Sequence, residues 1–225
     1  MRLCIFKFHN LSFCKFSPLK MSDISQHYGG SILAMKGKDC VCIINDKRLG
    51  NGPIGVSKNF TKIYEITPRL FVGFTGLISD AQILFRKIRR SHNLFRLNSN
   101  RDMEPNELSK MISYILYSKR TSPYYVSVIV AGLGKNNNPY IVGMDCLGCM
   151  DESDEFITSG TAANNLSGLC EALFTPDLDE ESLFVTSTQA FLNAVDRDTF
   201  SGWGAVSYVI GTKESKRREI KGRCD

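Results

Sequence analysis

Gly29-Gly30-Ser31-Ile32-Leu33-Ala34-Met35-Lys36-Gly37-Lys38-Asp39-Cys40-Val41-Cys42-Ile43-Ile44-Asn45-Asp46 holds two short apolar runs separated by a polar connection that contains glycine. Ser31 to Met35 and Val41 to Asn45 read as the arms of a β-hairpin turning through Lys36-Gly37-Lys38-Asp39. In a strand with one wet face apolar and polar residues alternate, because successive side chains point to opposite sides. The second arm does not alternate. Val41, Cys42, Ile43 and Ile44 are consecutive, so this strand is covered on both faces and lies inside the protein.

Outward from the hairpin, Lys47 to Pro53 gathers Gly50, Asn51, Gly52 and Pro53 and reads as a loop. Ile63 to Ile66 and Leu70 to Phe74 are strands around a turn at Thr67-Pro68. The period then changes from two to 3.6. Ser79 is placed as the N-cap of a helix with Ile83, Leu84, Ile88 and Phe95 on its apolar side and Arg86, Lys87, Arg89 and Arg90 between them. A second helix starts near Pro105 with Leu108, Met111, Ile112, Ile115 and Leu116, and stops ahead of Pro123. Tyr125 to Ala131, Tyr140 to Met144 and Phe156 to Ser159 are strands. Gly160 is read as opening a helix through Leu166, Leu169, Cys170 and Leu173, and Asp179 as capping another with Leu183, Phe184 and Ala190 to Leu192 inward. Ala205 to Ile210 and Arg217 to Lys221 close the chain as strands. Paired helices set between groups of strands define an α+β layered sandwich, with two stacked sheets and helices outside.

Composition removes several function classes. The chain has 225 residues and is 43% apolar and 23% charged, which suits one domain or two small ones. No apolar run approaches the roughly eighteen residues of a spanning helix, so no membrane role is expected. Of the net charge of +5, four units reside in the first 20 residues, which hold Arg2, Lys7, Lys15 and Lys20 and no acid; the remainder carries 24 bases against 23 acids. A nucleic-acid footprint needs a basic excess that this body lacks, so the helix bases and the Lys213 to Arg223 run read as solvated faces. The eight cysteines lie mostly in apolar runs and read as reduced and intracellular. Cys146-Leu147-Gly148-Cys149 has no second pair or suitably spaced histidines, so neither metal nor cofactor is expected.

Residues 1 to 20 lack an unbroken apolar core and make a poor secretory signal. Globular patterning starts after them, so they read as a dispensable extension, with Met21 beginning the functional chain.

Common catalytic signatures fail. Gly143 to Cys149 has the glycine spacing of a phosphate loop without its Lys and Ser/Thr. Ser201 in Phe200-Ser201-Gly202-Trp203-Gly204 lacks the preceding glycine of a nucleophile elbow.

Several segments taken together resemble the β subunits of the 20S proteasome. They are Gly29 to Gly37, Val41 to Arg48, Thr61-Lys62-Ile63, Phe74-Thr75-Gly76-Leu77-Ile78-Ser79-Asp80 and Asn193-Ala194-Val195-Asp196-Arg197-Asp198. The resemblance spans about residues 24 to 223 and implies a proteasome β-type domain over 21–225. Gly-Gly before the first strand, Ser118 to Tyr125, Asp145 to Cys149 and Asn193 to Asp198 narrow it to one subunit type. The implied fold is a four-layer αββα sandwich of the N-terminal-nucleophile hydrolase type, which agrees with the layered order above.

Active members of that family expose a threonine by cutting a Gly-Thr bond, and its amine serves as base for its own hydroxyl. The resemblance puts the accompanying aspartate at Asp46, the lysine at Lys62, the oxyanion glycine at Gly76 and supporting residues at Ser159, Asp198 and Ser201. It puts the nucleophile at Gly30, which has no hydroxyl. Ser31 cannot replace it, because a shift of one residue along a strand aims the side chain at the opposite face. Asp46 and Lys62 are then read as a buried ion pair that keeps the fold's geometry, Gly76 as the glycine of a strand-to-helix turn, and Phe74 as filling the specificity pocket.

The resemblance therefore implies a non-catalytic structural subunit, with a catalytic threonine or serine peptidase as the alternative. It implies beta type-2 and beta type-4 subunits as lateral neighbours, alpha-ring subunits above, the opposite beta ring below, and residence in cytoplasm and nucleus. It also places Asp145 and Cys149 at the substrate pocket of a neighbour.

Overall fold

The computed structural model describes residues 27–223. The extension at residues 1 to 20 and the start at Met21 lie outside the described residues.

The expected hairpin forms β1 (Ser31–Lys36) and β2 (Val41–Asp46). They sit at the centre of a five-stranded antiparallel sheet with β10 (Phe156–Gly160), β11 (Ala205–Ile210) and β12 (Ser215–Ile220), in the order β10-β1-β2-β11-β12. The second sheet runs β5 (Ile63–Thr67), β6 (Leu70–Gly76), β7 (Val126–Leu133), β8 (Pro139–Met144) and β9 (Met150–Glu152) in sequence order. A small hairpin, β3 (Leu49–Asn51) with β4 (Ile54–Ser57), stands beside them.

Every residue of β2 is buried, and its two faces serve different layers. Val41 and Ile43 join Ile32, Phe71 and Ile129 between the sheets. Cys42 and Ile44 face α3 (Ala163–Leu173) and α4 (Glu180–Val195), where Leu166, Cys170 and Phe191 meet them. On the other side of the sandwich, Val72, Val128 and Val130 pack on α1 (Ile78–Ser99) and α2 (Pro105–Tyr117) through Leu84, Ile88, Leu108 and Ile112. The result is four layers, αββα. Each fully buried aliphatic side chain contributes about 1.5–3 kcal/mol relative to exposure, so an inner strand apolar on both faces is the most stabilising place for such a run.

Several boundaries differ from expectation. The α1 N-cap is Leu77, not Ser79, and it makes no side-chain cap; Asp80 in the first turn instead accepts the Tyr125 N–H at 3.0 Å. Ile83 of α1 is exposed, and His92 takes a place on the buried side. Gly160 does not open a helix. It ends β10 at φ 106°, where a Cβ would strike the Gly30 carbonyl, and α3 begins three residues later. The stretch from Lys47 to Pro53 is not all loop, since it contains β3. That strand, β4 and β9 are three or four residues long, too short to show a period.

Candidate functional site

Asp46 closes β2 with its side chain fully buried, and Lys62 just before β5 is 4% exposed. Lys62 Nζ donates to Asp46 Oδ1 at 2.5 Å, and the Ser31 N–H donates to the same oxygen at 2.9 Å. The Gly202 N–H reaches Asp46 Oδ2 at 3.3 Å. A buried carboxylate with three donors is satisfied, which is the condition for keeping it in a core. Burial pushes the Lys62 ammonium below the ordinary lysine range, while the Asp46 charge and hydrogen bond oppose that shift and nearby Arg48 adds to it. Arg48 is itself buried. Its guanidinium donates to the Phe200 and Gly52 carbonyls at 2.9 and 3.0 Å and lies 5.6 Å from the centre of the Trp203 ring.

Gly30 lies directly before β1, facing this pair, with φ 116°. A Cβ placed there would collide with Lys62 Nζ and lie 2.8 Å from its Cε and 3.1 Å from Asp46 Oδ1. Lys62 thus fills the space in which a side chain at residue 30 would begin.

Ser31 belongs to a different cluster. Its hydroxyl meets Ser201 Oγ at 2.8 Å and accepts the Ala162 N–H at 2.9 Å. Ser201 Oγ meets Thr161 Oγ1 at 2.9 Å, and Thr161 donates to Asp198 Oδ2 at 2.5 Å. The carboxylate end fixes every proton in this chain. Because Thr161 donates to Asp198, Ser201 must donate to Thr161, and Ser31 must donate to Ser201. The Ser31 hydroxyl is therefore polarised toward Asp198, away from Lys62.

Ser159 joins neither group; its hydroxyl meets Thr75 Oγ1 at 2.7 Å on the second sheet. Gly76 ends β6 at φ 102°, where a Cβ would lie 2.5 Å from the Tyr125 carbonyl, and the next residue, Leu77, donates to that carbonyl at 2.8 Å. Beside Lys62 and Gly76 lies a cavity of about 10 Å³, roughly the space of a single water. Phe74 is among the residues that line it, packed on Tyr64, which stacks on Phe85 at 4.3 Å.

The chain entering Gly30 is also held. The carbonyls of His27 and Tyr28 accept the N–H groups of Gly52 and Gly50 at 2.8 and 3.0 Å, and Gly29, at φ 67°, lies so close to Phe200 that a Cβ would strike its carbonyl.

Asp145 and Cys149 stand apart from the Asp46–Lys62 pair, on an exposed turn after β8. Asp145 Oδ1 accepts the N–H groups of Leu147 and Cys149 at 2.9 and 2.8 Å. Both residues line a 210 Å³ cleft at the β8–β9 edge together with Asp151, Ser127, Thr158 and Ser159. Ser159 is the residue shared between this cleft and the Thr75 contact.

Of the residues singled out by sequence, the structure brings Gly30, Asp46 and Lys62 into contact, joins Ser201 to Asp198 through Thr161, and leaves Ser159, Asp145 and Cys149 outside. Thr161, Arg48 and Thr75 carry essential bonds that sequence reasoning missed. Arg48 and Thr75 lie inside segments that carry the family resemblance, which marks the segment and not the bond, and the signal for Thr161 is its position directly after Gly160.

An αββα sandwich with a carboxylate and a buried lysine facing the residue before its first strand is the architecture of the N-terminal-nucleophile hydrolase type. Comparison with known proteins narrows the class. The family model described as "Proteasome subunit" matches residues 27–210. Among curated relatives, "Proteasome subunit beta type-3" of Saccharomyces cerevisiae is 46% identical over 206 residues, covering 91% of this chain and 100% of that protein. "Probable proteasome subunit beta type-3" of Schizosaccharomyces pombe and "Proteasome subunit beta type-3-B" of Arabidopsis thaliana are each 42% identical over 202 residues, 90% of this chain and 99% of theirs. The chain belongs to the proteasome subunit family.

Proposed function

We propose that this chain is a beta type-3 subunit of the 20S proteasome core, a structural and non-catalytic member of the inner ring acting in ubiquitin-dependent protein degradation. The observation that carries the reading is the contact of Lys62 with the empty side of Gly30: the position that must supply a hydroxyl has no side chain, and the lysine has closed over the gap. A step that begins with hydroxyl attack has no nucleophile here. The names of the relatives support the subunit type. The alternative, an active threonine or serine peptidase, would need Ser31 as nucleophile, and that hydroxyl donates toward Asp198.

In this reading residues 21–225 form the working domain, with beta type-2 and beta type-4 subunits beside it, the alpha ring above and the opposite beta ring below, in cytoplasm and nucleus. Asp145 and Cys149 contribute to the substrate pocket of a neighbour that cleaves after basic residues; an exposed carboxylate oxygen at the mouth of a cleft suits a cationic side chain.

Intact mass of the subunit from native particles tests the central claim. The Gly29–Gly30 bond is expected to be uncut, in keeping with the anchoring of Tyr28 and His27 on the amides of Gly50 and Gly52. A native chain that begins at Gly30 or Ser31 would overturn it.

A further inference from the structure

We propose that Ser113 is a positioning residue for the Asp145 carboxylate, fixing the Asp145–Cys149 turn in the orientation from which it meets a basic substrate side chain; this rests on the reading of Asp145 given above. The turn's ends are tied into the β8–β9 ladder through Met144 and Met150. Its apex is tied to a helix of the outer layer. Ser113, in the middle of α2, donates its hydroxyl to the Gly148 carbonyl at 2.6 Å.

Serine inside a helix ordinarily returns its hydroxyl to a carbonyl one turn back, as Ser109 of the same helix does to Asn106 at 2.9 Å. Ser113 reaches out of its helix instead. Gly148 makes the approach possible. It is buried at φ 87°, and a Cβ there would lie 2.6 Å from the Ser113 carbonyl oxygen and 3.2 Å from Leu116 Cβ. Only glycine lets the apex seat on α2 so closely.

From that seat the carboxylate follows. Asp145 Oδ1 is committed to the Leu147 and Cys149 amides, and the Gly148 N–H returns to the Asp145 carbonyl at 3.2 Å. Asp145 Oδ2 is the oxygen left to a ligand, with no hydrogen-bond partner among the described residues. Its direction is set by the turn, the turn's apex by the Gly148 carbonyl, and that carbonyl by Ser113. Without the hydroxyl, a buried carbonyl loses its donor and the apex moves to find another. A displacement of about 1 Å in a positioning group is enough to weaken what it holds.

The test uses assembled 20S particles carrying Ser113→Ala, Ser113→Thr or Asp145→Asn, assayed on fluorogenic peptides ending in basic, acidic or bulky apolar residues. For the basic peptide, Ser113→Ala should raise KM by about 3- to 10-fold, the loss of one hydrogen bond, with kcat nearly unchanged and the other two activities intact. Ser113→Thr, which keeps the hydroxyl, should restore KM. An inert Asp145→Asn would sink the pocket reading beneath this inference. A selective Asp145→Asn defect with normal Ser113→Ala kinetics would overturn the Ser113 role alone. Equal loss of all three activities in Ser113→Ala, or no rescue by threonine, would also overturn it, because a packing defect would then account for the result.

Discussion

The Lys62 ammonium occupies the space that the first carbon of a side chain at Gly30 would take. The missing side chain at residue 30 is therefore matched by a lysine in the space it would take. Glycine at this position also permits the φ of 116°, strained for any residue with a side chain.

Gly30→Thr in assembled particles must push Lys62 away from Asp46 and place a β-branched residue at positive φ, a strain on the order of 1–3 kcal/mol. The expected outcome is a lower melting temperature together with slow self-cleavage after Gly29, seen as a loss of subunit mass. Gly29, Asp46, Lys62 and Gly76 remain to assist that cut. Correctly assembled particles with no processing at all would mean that these residues serve the fold alone.

The two members of the buried pair should differ in their tolerance to change. Asp46→Ala strands a buried ammonium and removes the acceptor of the Ser31 and Gly202 amides, a loss of about 3–5 kcal/mol. Lys62→Met keeps the volume and leaves Asp46 its two amide donors, so it should lose less, about 1–3 kcal/mol. Thermal shifts of the two variant particles measure this order, and a reversed order would contradict the donor set.

Acid should loosen the start of α2. The Arg101 guanidinium hydrogen-bonds Glu107 at 2.6 and 2.7 Å and holds its carboxyl down to about 2, aided by the Glu104 N–H of the capping box. A depressed carboxyl contributes fully above its ordinary value near 4.5 and loses that contribution as pH falls through about 2. Amide exchange in the first turn of α2 should therefore speed up relative to α3, which has no acid in its first turn, as pH falls from about 4.5 toward about 2. Glu107→Gln should abolish that difference, and an unchanged pH response in the variant would refute the role of Glu107.

Much of the layered order is written in the chain because burial leaves a periodic trace. Val41 to Ile44, apolar without a break, can only be an inner strand, and Leu108, Ile112 and Leu116 at helical spacing can only be one face of a helix. Strands of three or four residues hold too few repeats of a two-residue period to leave such a trace, which is why β3, β4 and β9 are not legible. Helix ends were misplaced where backbone contacts override local preference: Leu77 caps α1 because the chain turns against Tyr125, whatever Ser79 prefers.

By itself the sequence determined the αββα class, the family and the absence of a hydroxyl at residue 30, because these follow from the identity and spacing of side chains. Tertiary structure alone decided that Lys62 closes over Gly30, that Thr161 carries the link from Ser201 to Asp198, that Phe74 lines a cavity of 10 Å³ beside Lys62, and that Ser113 holds the Gly148 carbonyl of the Asp145 turn. The physical reason is the range of the interactions. A hydrogen bond between residues 35 to 40 positions apart depends on where folding brings two polar atoms within about 3 Å, and neither atom leaves a mark on its neighbours in the chain.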